Sequence, residues 1–381
     1  MVKKCKRRQY KLLKYIYFCI CILLFTGCHA AEDETSEKLE RTGFAFNTTY
    51  TITLNAGGSE SLLDECASRC SGYEKIFSRT LDGSELYNIN EVEKVYLEVI
   101  QNKKKKDLSV IEKSIRDKIN SDNSAEFVIN SDGSIAFAVS ELMYKILEKG
   151  LYYSKLSDGK FDITIEPESS LWNFTVDNPK VPDKVKLKAA SKLVNYNNAK
   201  LKDKKLVLKV PGMGIELGAI AKGFIADNLK EYLVDNGVTS GTINLGGNVL
   251  CIGKKTDGTP FRIGIQQPFA DRNEVITAIN AEGVSVVSSG IYERYFIQDE
   301  KIYHHILDSS TGYPYDNGLT SVTIVSQNST DGDALSTTCF SLGLDKGIKL
   351  VDSLNDVYAV FITEDGQLHY SNGFKELEIK Q

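Results

Sequence analysis

The chain has 381 residues, which allows one large domain or two ordinary ones with a sizeable buried core. With 42% hydrophobic and 25% charged residues, the composition is typical of a globular protein and excludes a disordered one. The formal net charge is −5, and without the first 27 residues it becomes −12, from 39 basic and 51 acidic side chains. An acidic chain repels the phosphates of nucleic acids, so no nucleic acid partner is expected.

Residues 1–27 have the pattern of a signal peptide. These residues include seven basic and no acidic side chains, together with an apolar run from Tyr15 to Phe25. The run is shorter than the length that a helix needs to span a bilayer. Cys28 ends the stretch LFTGC, which resembles the lipobox of bacterial lipoproteins and predicts cleavage before Cys28 and acylation of its thiol. The alternative is an uncleaved anchor. We expect a lipid-anchored protein on the extracytoplasmic face of the bacterial cell membrane.

Residues 28–43 are polar and charged, which indicates a tether between the lipid and a domain at 44–381. In that domain, FAFNTTYTITL (44–54) alternates as a strand does, and residues 61–77 have the pattern of a helix. Residues 91–130 are rich in Lys, Glu, Asp and Asn and include four successive lysines at 103–106. We expect this part to be a solvated, charged insertion rather than a binding patch.

Helical patterns continue at 140–156 and 183–193, and from residue 205 the sequence is rich in strand-forming residues. Two helices interrupt these strands, at about 218–235 and at 333–343. The mixture lacks a strict alternation of strand and helix. It therefore predicts a single α/β or α+β domain.

Two stretches in the middle of the chain could carry chemistry. DGKFDITIEP (158–167) has a turn followed by an alternating strand that ends at proline, and taken alone it is better explained as a plain hairpin strand. IELGAIAKGFIADNL (215–229) predicts a strand ending at Leu217 and a helix beginning near Ala219. Small residues and a helix start can receive an anion, and Lys222 adds a positive charge. A tightly packed helix start is the alternative.

Two later stretches also leave alternatives open. NLGGN (244–248) places paired glycines within β structure, which indicates either a bulge with a close backbone approach or a simple bend. In DGDALSTTCFSLG (331–343), Asp333 and Thr337 are one helical turn apart and share a face. A carboxylate and a hydroxyl are oxygen donors suited to Mg²⁺. The alternative is that Asp331 or Asp333 caps the helix.

The histidines and cysteines restrict the chemistry further. His304 and His305 are adjacent in IYHHILDSSTGYP (302–314), and neighbouring side chains of a strand point to opposite faces, so only one of them can face a pocket. Cys66 and Cys70 lie four apart on a predicted helix, where a disulfide is geometrically awkward. The chain has no Cys-x-x-Cys, so neither a zinc site nor a redox pair is favoured.

Taken together, the motifs resemble the FAD:protein FMN transferases, the ApbE-type flavin transferases, over roughly residues 44–370. The stretches that carry the resemblance are FNTTY (46–50), FSRTLDGSELYNIN (77–90), DGKFDIT with LWNF (158–174), ELGAIAKGFIAD (216–227), NLGGN (244–248), SSGIYERYF (288–296), HHILDSSTGYP (304–314) and DALSTTCFSLG (333–343). The resemblance implies a single domain of the T-fold type, in which strands and helices enclose a cleft for FAD. It also implies Mg²⁺-dependent transfer of FMN from FAD to a threonine or serine hydroxyl of a target protein, with release of AMP.

The resemblance assigns roles to residues by their place in these motifs. It implies His305 as the general base, in a His-x-x-Asp pattern, and leaves His304 a structural or outward-facing role. The metal positions fall on Asp333, on Thr337 and on the backbone carbonyl of Ala219. The FAD contacts fall on Phe46, Lys160, Phe161, Asp162, Glu216, Lys222 and Ile306.

Two other functions are compatible with the same residues. An FAD pyrophosphatase would use water as the acceptor, and a non-catalytic lipoprotein would bind flavin without cleaving it. The implied partners of a transferase are FAD, an acceptor protein carrying a Thr/Ser flavinylation motif, such as an electron-transfer flavoprotein, and the membrane through the lipid anchor. The sequence does not name the acceptor protein.

Overall fold

The computed structural model describes residues 38–101, 107–119, 122–174, 176–271 and 273–379. In chain order, its strands are β1 Leu39–Ala45, β2 Thr48–Ala56, β3 Phe127–Ile129, β4 Ile135–Ala138, β5 Ala199–Lys202, β6 Lys205–Leu208, β7 Ser240–Leu245, β8 Asn248–Ile252, β9 Phe261–Gln266, β10 Val275–Ala281, β11 Ser285–Gly290, β12 Tyr295–Gln298, β13 Lys301–His304, β14 Leu319–Ser326, β15 Tyr358–Thr363 and β16 Leu368–Tyr370. Its α-helices are α1 Glu60–Phe77, α2 Glu85–Gln101, α3 Leu108–Arg116, α4 Glu141–Leu156, α5 Glu166–Trp172, α6 Lys184–Ala190, α7 Ala221–Asp235, α8 Ser329–Leu342, α9 Leu344–Asp352 and α10 Phe374–Leu377.

The largest sheet has eight strands in the order β1-β2-β7-β8-β11-β14-β15-β16, and every neighbouring pair in it is antiparallel. Strand β14 lies inside this sheet, and all eight of its residues are buried. The buried positions include the hydroxyl residues Thr320, Ser321 and Thr323 as well as apolar residues, and burial of the whole strand shows that both faces of the sheet are covered here.

Helix α8 packs on one face of the sheet, against β11, β14 and helix α7. The other face carries a separate apolar cluster that includes Phe261, Val286, Val360 and Phe374. A smaller antiparallel sheet, β3-β4-β6-β5, and two ribbons, β9–β10 and β12–β13, complete the β structure. The unit Lys38–Gln381 is compact by itself, so the predicted mixed α/β single domain is confirmed.

The predicted strand at 44–54 is wrong, because a tight turn divides it. Phe46 and Asn47 both have φ of +56° and connect β1 to β2, with Ala45 paired to Thr48. Such a two-residue turn matches the twist of the two strands it joins. The strand before the turn begins at Leu39, so the last residues of the predicted tether belong to the sheet and the tether boundary at residue 43 is too late.

The paired glycines of NLGGN form the turn between β7 and β8. Gly246 and Gly247 have φ of +61° and +98°, which is the left-handed region that glycine adopts at no steric cost. A Cβ on Gly246 would lie 2.3 Å from the Thr48 hydroxyl oxygen. NLGGN is therefore a tight hairpin turn whose backbone closely approaches Thr48. The β7–β8 turn thus lies beside the β1–β2 turn.

The charged stretch at 91–130 is not a solvated insertion. Its first part continues helix α2, which buries Val92, Glu93, Val95, Tyr96 and Val99. Ile111 and Ile115 of α3 are also buried. Polar residues on the outer face of these helices raise the charge of the stretch, while the inner face belongs to the core. The lysines at 103–106 lie outside the described residues.

The predicted signal peptide, the lipidation site Cys28 and most of the tether also lie outside the described residues. Within the part of the chain that is described, no helix is both long enough and apolar enough to cross a bilayer. The described cysteines, Cys66, Cys70, Cys251 and Cys339, are buried and free.

Candidate active site

Helix α8 brings the predicted carboxylate and hydroxyl together. The helix begins at Ser329, four residues earlier than expected, and it is buried on almost every side. Asp333 is 2% exposed, whereas Thr337, one turn further on, is only partly buried. Neither Asp331 nor Asp333 caps the helix, because its first N–H groups, those of Ser329 and Thr330, donate to the Asp227 carboxylate, each at 2.8 Å.

The Asp333 carboxylate is held by the start of helix α7. The N–H of Gly223 donates to Asp333 Oδ2 at 2.9 Å, and Lys222 Nζ lies 3.4 Å from Asp333 Oδ1. A Cβ on Gly223 would lie 2.1 Å from the Ser329 carbonyl oxygen. The glycine therefore permits two helices to pack in contact, which favours the tightly packed helix start that the sequence left open.

The segment before α7 differs in detail from the prediction. It forms no strand ending at Leu217, and α7 begins at Ala221 rather than near Ala219. Gly223 is in the first turn of α7, where N–H groups lack a carbonyl partner within the helix, and its N–H donates to Asp333. Among the described residues, no backbone N–H donates to the Ala219 carbonyl. This oxygen is therefore available to a ligand.

Thr337 has a partner that the sequence reasoning missed. Its Oγ1 lies 3.0 Å from Ser289 Oγ, on strand β11. Ser289 Oγ is also 2.7 Å from Ser336 Oγ. Ser289 belongs to the motif SSGIYERYF, so its place in a motif is visible in the sequence, but its contact with a helix 48 residues away is not.

The two adjacent histidines have different environments, although the predicted strand ends between them, at His304. His304, the last residue of β13, is 4% exposed, and its Nε2 lies 2.9 Å from the Tyr315 carbonyl while its Nδ1 accepts from the Ile306 N–H at 3.3 Å. A carbonyl can only accept, so Nε2 carries the proton. Both ring nitrogens are thus engaged, and the buried ring packs edge-on against Phe340. His304 is structural.

His305 has one ring nitrogen engaged. Its Nδ1 is 3.2 Å from the Arg294 carbonyl, so the proton lies on Nδ1 and Nε2 keeps its lone pair. Loss of hydration around the ring lowers the pKa of His305 to about 3, with smaller contributions from the positive charge of Arg294, from the neighbouring His304 and from Lys222. The imidazole is therefore neutral at physiological pH, although part of the residue reaches solvent.

DGKFDITIEP forms a compact loop, not the predicted hairpin strand, and helix α5 begins at Glu166. The Asp162 carboxylate is buried and accepts from the Thr164 N–H and hydroxyl and from the Tyr196 N–H, at 2.7–2.9 Å. It therefore fixes the loop. Phe161 is 4% exposed, whereas Lys160 reaches toward Asp308, with Nζ 3.6 Å from its carboxylate.

Tyr315 connects two of the predicted flavin contacts. Its hydroxyl donates to the Lys160 carbonyl at 3.0 Å, and its N–H donates to the Ile306 carbonyl at 3.0 Å. Ile306 itself is buried and immediately follows His305. The loop around Lys160 and the segment that carries His305 are thus held together.

Glu216 is fixed in an ion pair. Its Oε2 contacts the Arg79 guanidinium and accepts from the Ser169 hydroxyl, and its Oε1 accepts from the Gly218 N–H at 3.0 Å. Its own N–H donates to the Ile163 carbonyl at 2.8 Å, which joins this segment to the loop around Asp162. Arg79 is a further residue that the sequence reasoning did not single out, although it lies in the motif FSRTLDGSELYNIN.

Phe46 lies in the β1–β2 turn, where its N–H donates to Glu74 Oε1 at 2.9 Å. Across the described part of the chain, no hydrogen bond ties it to Asp333 or His305. The start of β2, which follows this turn, lies beside the Gly246–Gly247 turn, because the Gly246 N–H donates to the Thr49 carbonyl at 3.1 Å.

The described residues include no group of three His, Cys, Asp or Glu side chains placed to hold a metal ion. A cation here would rely on one carboxylate and on neutral oxygens. Asp333, the Thr337 hydroxyl and the Ala219 carbonyl offer oxygen donors of the kind that Mg²⁺ prefers, since this ion binds oxygen and keeps several waters.

A buried carboxylate, a hydroxyl, a lysine and a neutral imidazole on a mixed α/β scaffold are the groups that phosphoryl-transfer enzymes use. The chain belongs to the ApbE family, whose family model matches residues 93–362.

Similar proteins from several bacteria bear the name of a flavin transferase or have solved structures. The chain is 39% identical over 236 residues to the FAD:protein FMN transferase of Klebsiella pneumoniae (strain 342), covering 61% of this chain and 73% of that protein. It is 34% identical over 270 residues to the FAD:protein FMN transferase of Treponema pallidum (strain Nichols), covering 67% and 75%. The crystal structure of the ApbE protein from Thermotoga maritima superposes with a TM-score of 0.73 at 29% identity, covering 90% of this chain and all of that one. The flavin transferase ApbE from Vibrio cholerae shares the fold, with a TM-score of 0.71 at 23% identity, over 90% of this chain and 99% of that one.

Proposed function

We propose that this protein is an FAD:protein FMN transferase that attaches FMN to a threonine or serine hydroxyl of an acceptor protein and releases AMP. The observation that carries the proposal is the contact of the α7 start with Asp333, where the Gly223 N–H and Lys222 both reach one buried carboxylate. The Ala219 carbonyl, two residues before the helix, accepts from no described backbone N–H. Relatives at 39% and 34% identity that bear this name support the proposal.

In the proposed reaction, the acceptor hydroxyl oxygen attacks the phosphorus of the FMN half of FAD. A new P–O bond forms to the acceptor, the P–O bond to the bridging oxygen breaks, and AMP leaves with that oxygen. The hydroxyl proton passes to His305 Nε2, whose lone pair is free because Nδ1–H donates to the Arg294 carbonyl. General-base help of this kind contributes about 10²–10⁴ in rate.

The low pKa of His305 keeps the ring neutral in the free protein, which is the form that can accept a proton. A ring with so low a pKa is a weak base. Besides the loss of hydration, positive charges on Arg294 and Lys222 contribute to the lowered pKa, and a bound diphosphate would offset those charges and raise the pKa toward the useful range. Substrate binding would thereby improve the base.

The divalent cation of the proposal is Mg²⁺, with Asp333, Thr337 and the Ala219 carbonyl as its protein ligands. When bound, it neutralises charge on the diphosphate, which is the main help that phosphoryl transfer needs. Lys222 is placed to supply a further positive charge, since its Nζ lies at the same carboxylate. The oxygen-only set and the unpaired carbonyl support this proposal.

The remaining proposed flavin contacts differ in which of their groups are accessible to a ligand. Lys160 has a half-exposed ammonium group, and Phe46 has a partly buried ring at a hairpin turn. Asp162 and Ile306 are buried and engaged, so they contribute by shaping the wall and by backbone groups. Glu216 has a fixed carboxylate beside Arg79, and Phe161 is buried beneath the loop.

The location and the acceptor are also proposed. A lipoprotein signal peptide at 1–27 with acylation of Cys28 would hold the domain on the extracytoplasmic face of the membrane. The acceptors would then be electron-transfer flavoproteins that expose a Thr/Ser flavinylation motif on the same side. The sequence pattern LFTGC supports this arrangement.

The test is incubation of the purified protein with FAD, Mg²⁺ and a candidate acceptor domain. Covalent FMN on the acceptor, read by in-gel fluorescence and by mass, is the expected result. A parallel reaction without acceptor measures hydrolysis. Rapid release of AMP and free FMN there, with no labelled acceptor, would instead establish a pyrophosphatase, and FAD that remains intact in both reactions would establish a flavin-binding protein.

A further inference from the structure

Three hydroxyl groups beside Asp333 form a continuous hydrogen-bonded chain. Thr337 Oγ1 lies 3.0 Å from Ser289 Oγ, and Ser289 Oγ lies 2.7 Å from Ser336 Oγ. Ser336 Oγ, which is fully buried, lies 2.8 Å from the backbone carbonyl oxygen of Asp333. The chain thus runs from a partly exposed hydroxyl to a buried carbonyl.

The direction of every bond in this chain follows from counting protons. A serine or threonine hydroxyl has one proton to donate, whereas a carbonyl can only accept. Ser336 must therefore donate its proton to the Asp333 carbonyl. Ser289 must then donate to Ser336, and Thr337 must donate to Ser289. No other arrangement forms all three bonds.

The fixed direction decides what Thr337 presents to the site. Its only proton points toward Ser289, so the lone pairs of its oxygen remain for another partner. A hydroxyl that binds a cation must turn its proton away from the ion, and hydrogen bonds beyond the ligands commonly fix such orientations.

We infer that Ser289 and Ser336 are positioning residues that orient the Thr337 hydroxyl as a ligand for a divalent cation. The inference rests on the proposed function, because it assumes a cation beside Asp333. The inference assigns a role to two further residues, one on β11 and one on α8: they fix the direction in which the proton of the Thr337 hydroxyl points.

The neighbouring residue on the same strand provides the comparison. Ser288 Oγ lies 2.8 Å from Thr323 Oγ1, directly across from it on β14. This pair joins two strands, and within the described residues its hydrogen bonds do not extend to Thr337. Successive residues of a strand point to opposite faces, so Ser288 and Ser289 share a backbone environment but differ in what their hydroxyls contact.

The test compares Ser289→Ala and Ser336→Ala with Ser288→Ala in the full chain. Mn²⁺ is titrated into each protein with FAD and without acceptor, and free Mn²⁺ is read by electron paramagnetic resonance against a blank of FAD alone. We expect the Kd for Mn²⁺ to rise about tenfold or more in the first two variants, as for other groups that orient metal ligands, and to remain at the wild-type value in Ser288→Ala. Binding of FAD in the presence of EDTA should be equal in all four proteins.

A second readout separates orientation from general loss of structure. For Ser289→Ala, the Mg²⁺ concentration that gives half-maximal flavin transfer should rise, while the rate at saturating Mg²⁺ returns close to that of the wild type. Equal Mn²⁺ affinity in wild type and Ser289→Ala would overturn the inference and leave the proposed function standing. An equal loss of Mn²⁺ affinity in Ser288→Ala would also overturn the inference, since it would show that any serine substitution in β11 disturbs the site. Absence of Mn²⁺ binding by the wild type would overturn the proposed metal site together with the inference.

Discussion

The N–H of Gly223 donates to Asp333 Oδ2 at 2.9 Å, and this bond joins the first turn of α7 to the middle of α8. Gly223 lies in the first turn of α7, where N–H groups have no carbonyl partner within the helix. The bond therefore satisfies this N–H and fixes the carboxylate, and no described backbone N–H donates to the Ala219 carbonyl. The bond depends on the two helices being close enough to touch.

Replacement of Gly223 by alanine should break this arrangement. Its Cβ would lie 2.1 Å from the Ser329 carbonyl oxygen and 2.8 Å from Asp333 Cβ, so the helices must separate. Overpacking of this kind costs about 1–3 kcal/mol of the free energy of unfolding, and displacement of Asp333 should also weaken Mn²⁺ binding about tenfold or more. Denaturant unfolding and a Mn²⁺ titration measure the two effects.

Gly72→Ala is the matched control, because Gly72 lies within α1 and a Cβ added there would have no atom within 4 Å. Alanine is favoured over glycine inside a helix by about 0.5–1 kcal/mol, so this variant should be more stable than the wild type. A Gly223→Ala variant as stable as Gly72→Ala, with Mn²⁺ affinity intact, would contradict the proposed helix contact.

The two adjacent histidines give a pair of variants with opposite expectations. His305→Gln removes the free ring nitrogen, so flavin transfer should fall by about 10²–10⁴ while FAD binding is retained. His304→Gln removes a buried ring that makes two hydrogen bonds, so it should lower the free energy of unfolding by about 1–3 kcal/mol. Its effect on flavin transfer should be smaller. Single-turnover labelling of the acceptor and denaturant unfolding distinguish the two.

The pH dependence of transfer offers a separate check on His305. Because its pKa is lowered to about 3, the ring of the free protein remains neutral down to well below the ordinary histidine value. The rate constant kcat/KM for FAD should therefore show no acidic limb near pH 6.5 from this residue. A limb at that pH that disappears in His305→Gln would show that the ring titrates normally.

The ion pair between Arg79 and Glu216 leads to a prediction about FAD affinity. Glu216 is one of the proposed flavin contacts, and Arg79→Gln would release its carboxylate and leave it near Glu166, whose pKa burial already raises to about 7. We expect the Kd for FAD to rise about tenfold, the usual scale for loss of one charged hydrogen bond, with kcat changed less.

Arg116→Gln serves as the control for that measurement. Arg116 also pairs with a carboxylate, that of Glu112 at 2.8 Å, but the pair is exposed on α3 and exposed pairs contribute little. Titration of FAD, followed by the quenching of flavin fluorescence, compares the two variants. If both bound FAD as the wild type does, Arg79 would have no part in holding Glu216 for the flavin.

The sequence predicts the parts of the fold and site that depend on local geometry. The placement of Asp333 and Thr337 on one face follows from the helical repeat alone. The different environments of His304 and His305 follow only in part from strand alternation, because β13 ends at His304. The sequence does not predict Ser289 beside Thr337 or Arg79 beside Glu216, because these contacts join segments 48 and 137 residues apart. Such contacts are set by the packing of the whole domain.

Composition is misleading in two places. The turn at Phe46 and Asn47 lacks glycine, so the sequence at 44–54 has the pattern of one continuous strand. The stretch at 91–130 has the total charge of a solvated segment, although Val92, Val95, Tyr96 and Val99 recur at helical spacing and are buried. Periodicity carries the structural information there, and average charge does not.

Glu93 lies on this same helix, α2, and makes stability depend on pH. It is fully buried, its Oε2 accepts from the Gly212 N–H at 2.8 Å, and no described group bonds its Oε1. The neighbouring Asn90 bonds both the N–H and the carbonyl of Ile215. Together they hold the segment that leads to Glu216 and Ala219.

Burial raises the pKa of Glu93 from 4.5 to about 8, against the opposing effect of the Gly212 N–H. Between these values the folded protein keeps the proton, whereas the unfolded chain releases it. Unfolding is therefore favoured as the pH rises, and stability falls by as much as about 1.4 kcal/mol per pH unit across that window. Glu93→Gln cannot ionise, so its free energy of unfolding should exceed that of the wild type by an amount that grows between about pH 5 and about pH 8.

Denaturant unfolding at several pH values within that window measures the difference. Glu98→Gln, on the same helix but with a half-exposed side chain, is the control, because its carboxylate is hydrated in both folded and unfolded chains. A constant difference between Glu93→Gln and the wild type at every pH would mean that Glu93 is already ionised in the folded protein. The unpaired Oε1 would then need a partner that stabilises the charge, and the segment at 212–215 would be held by a carboxylate instead of a carboxylic acid.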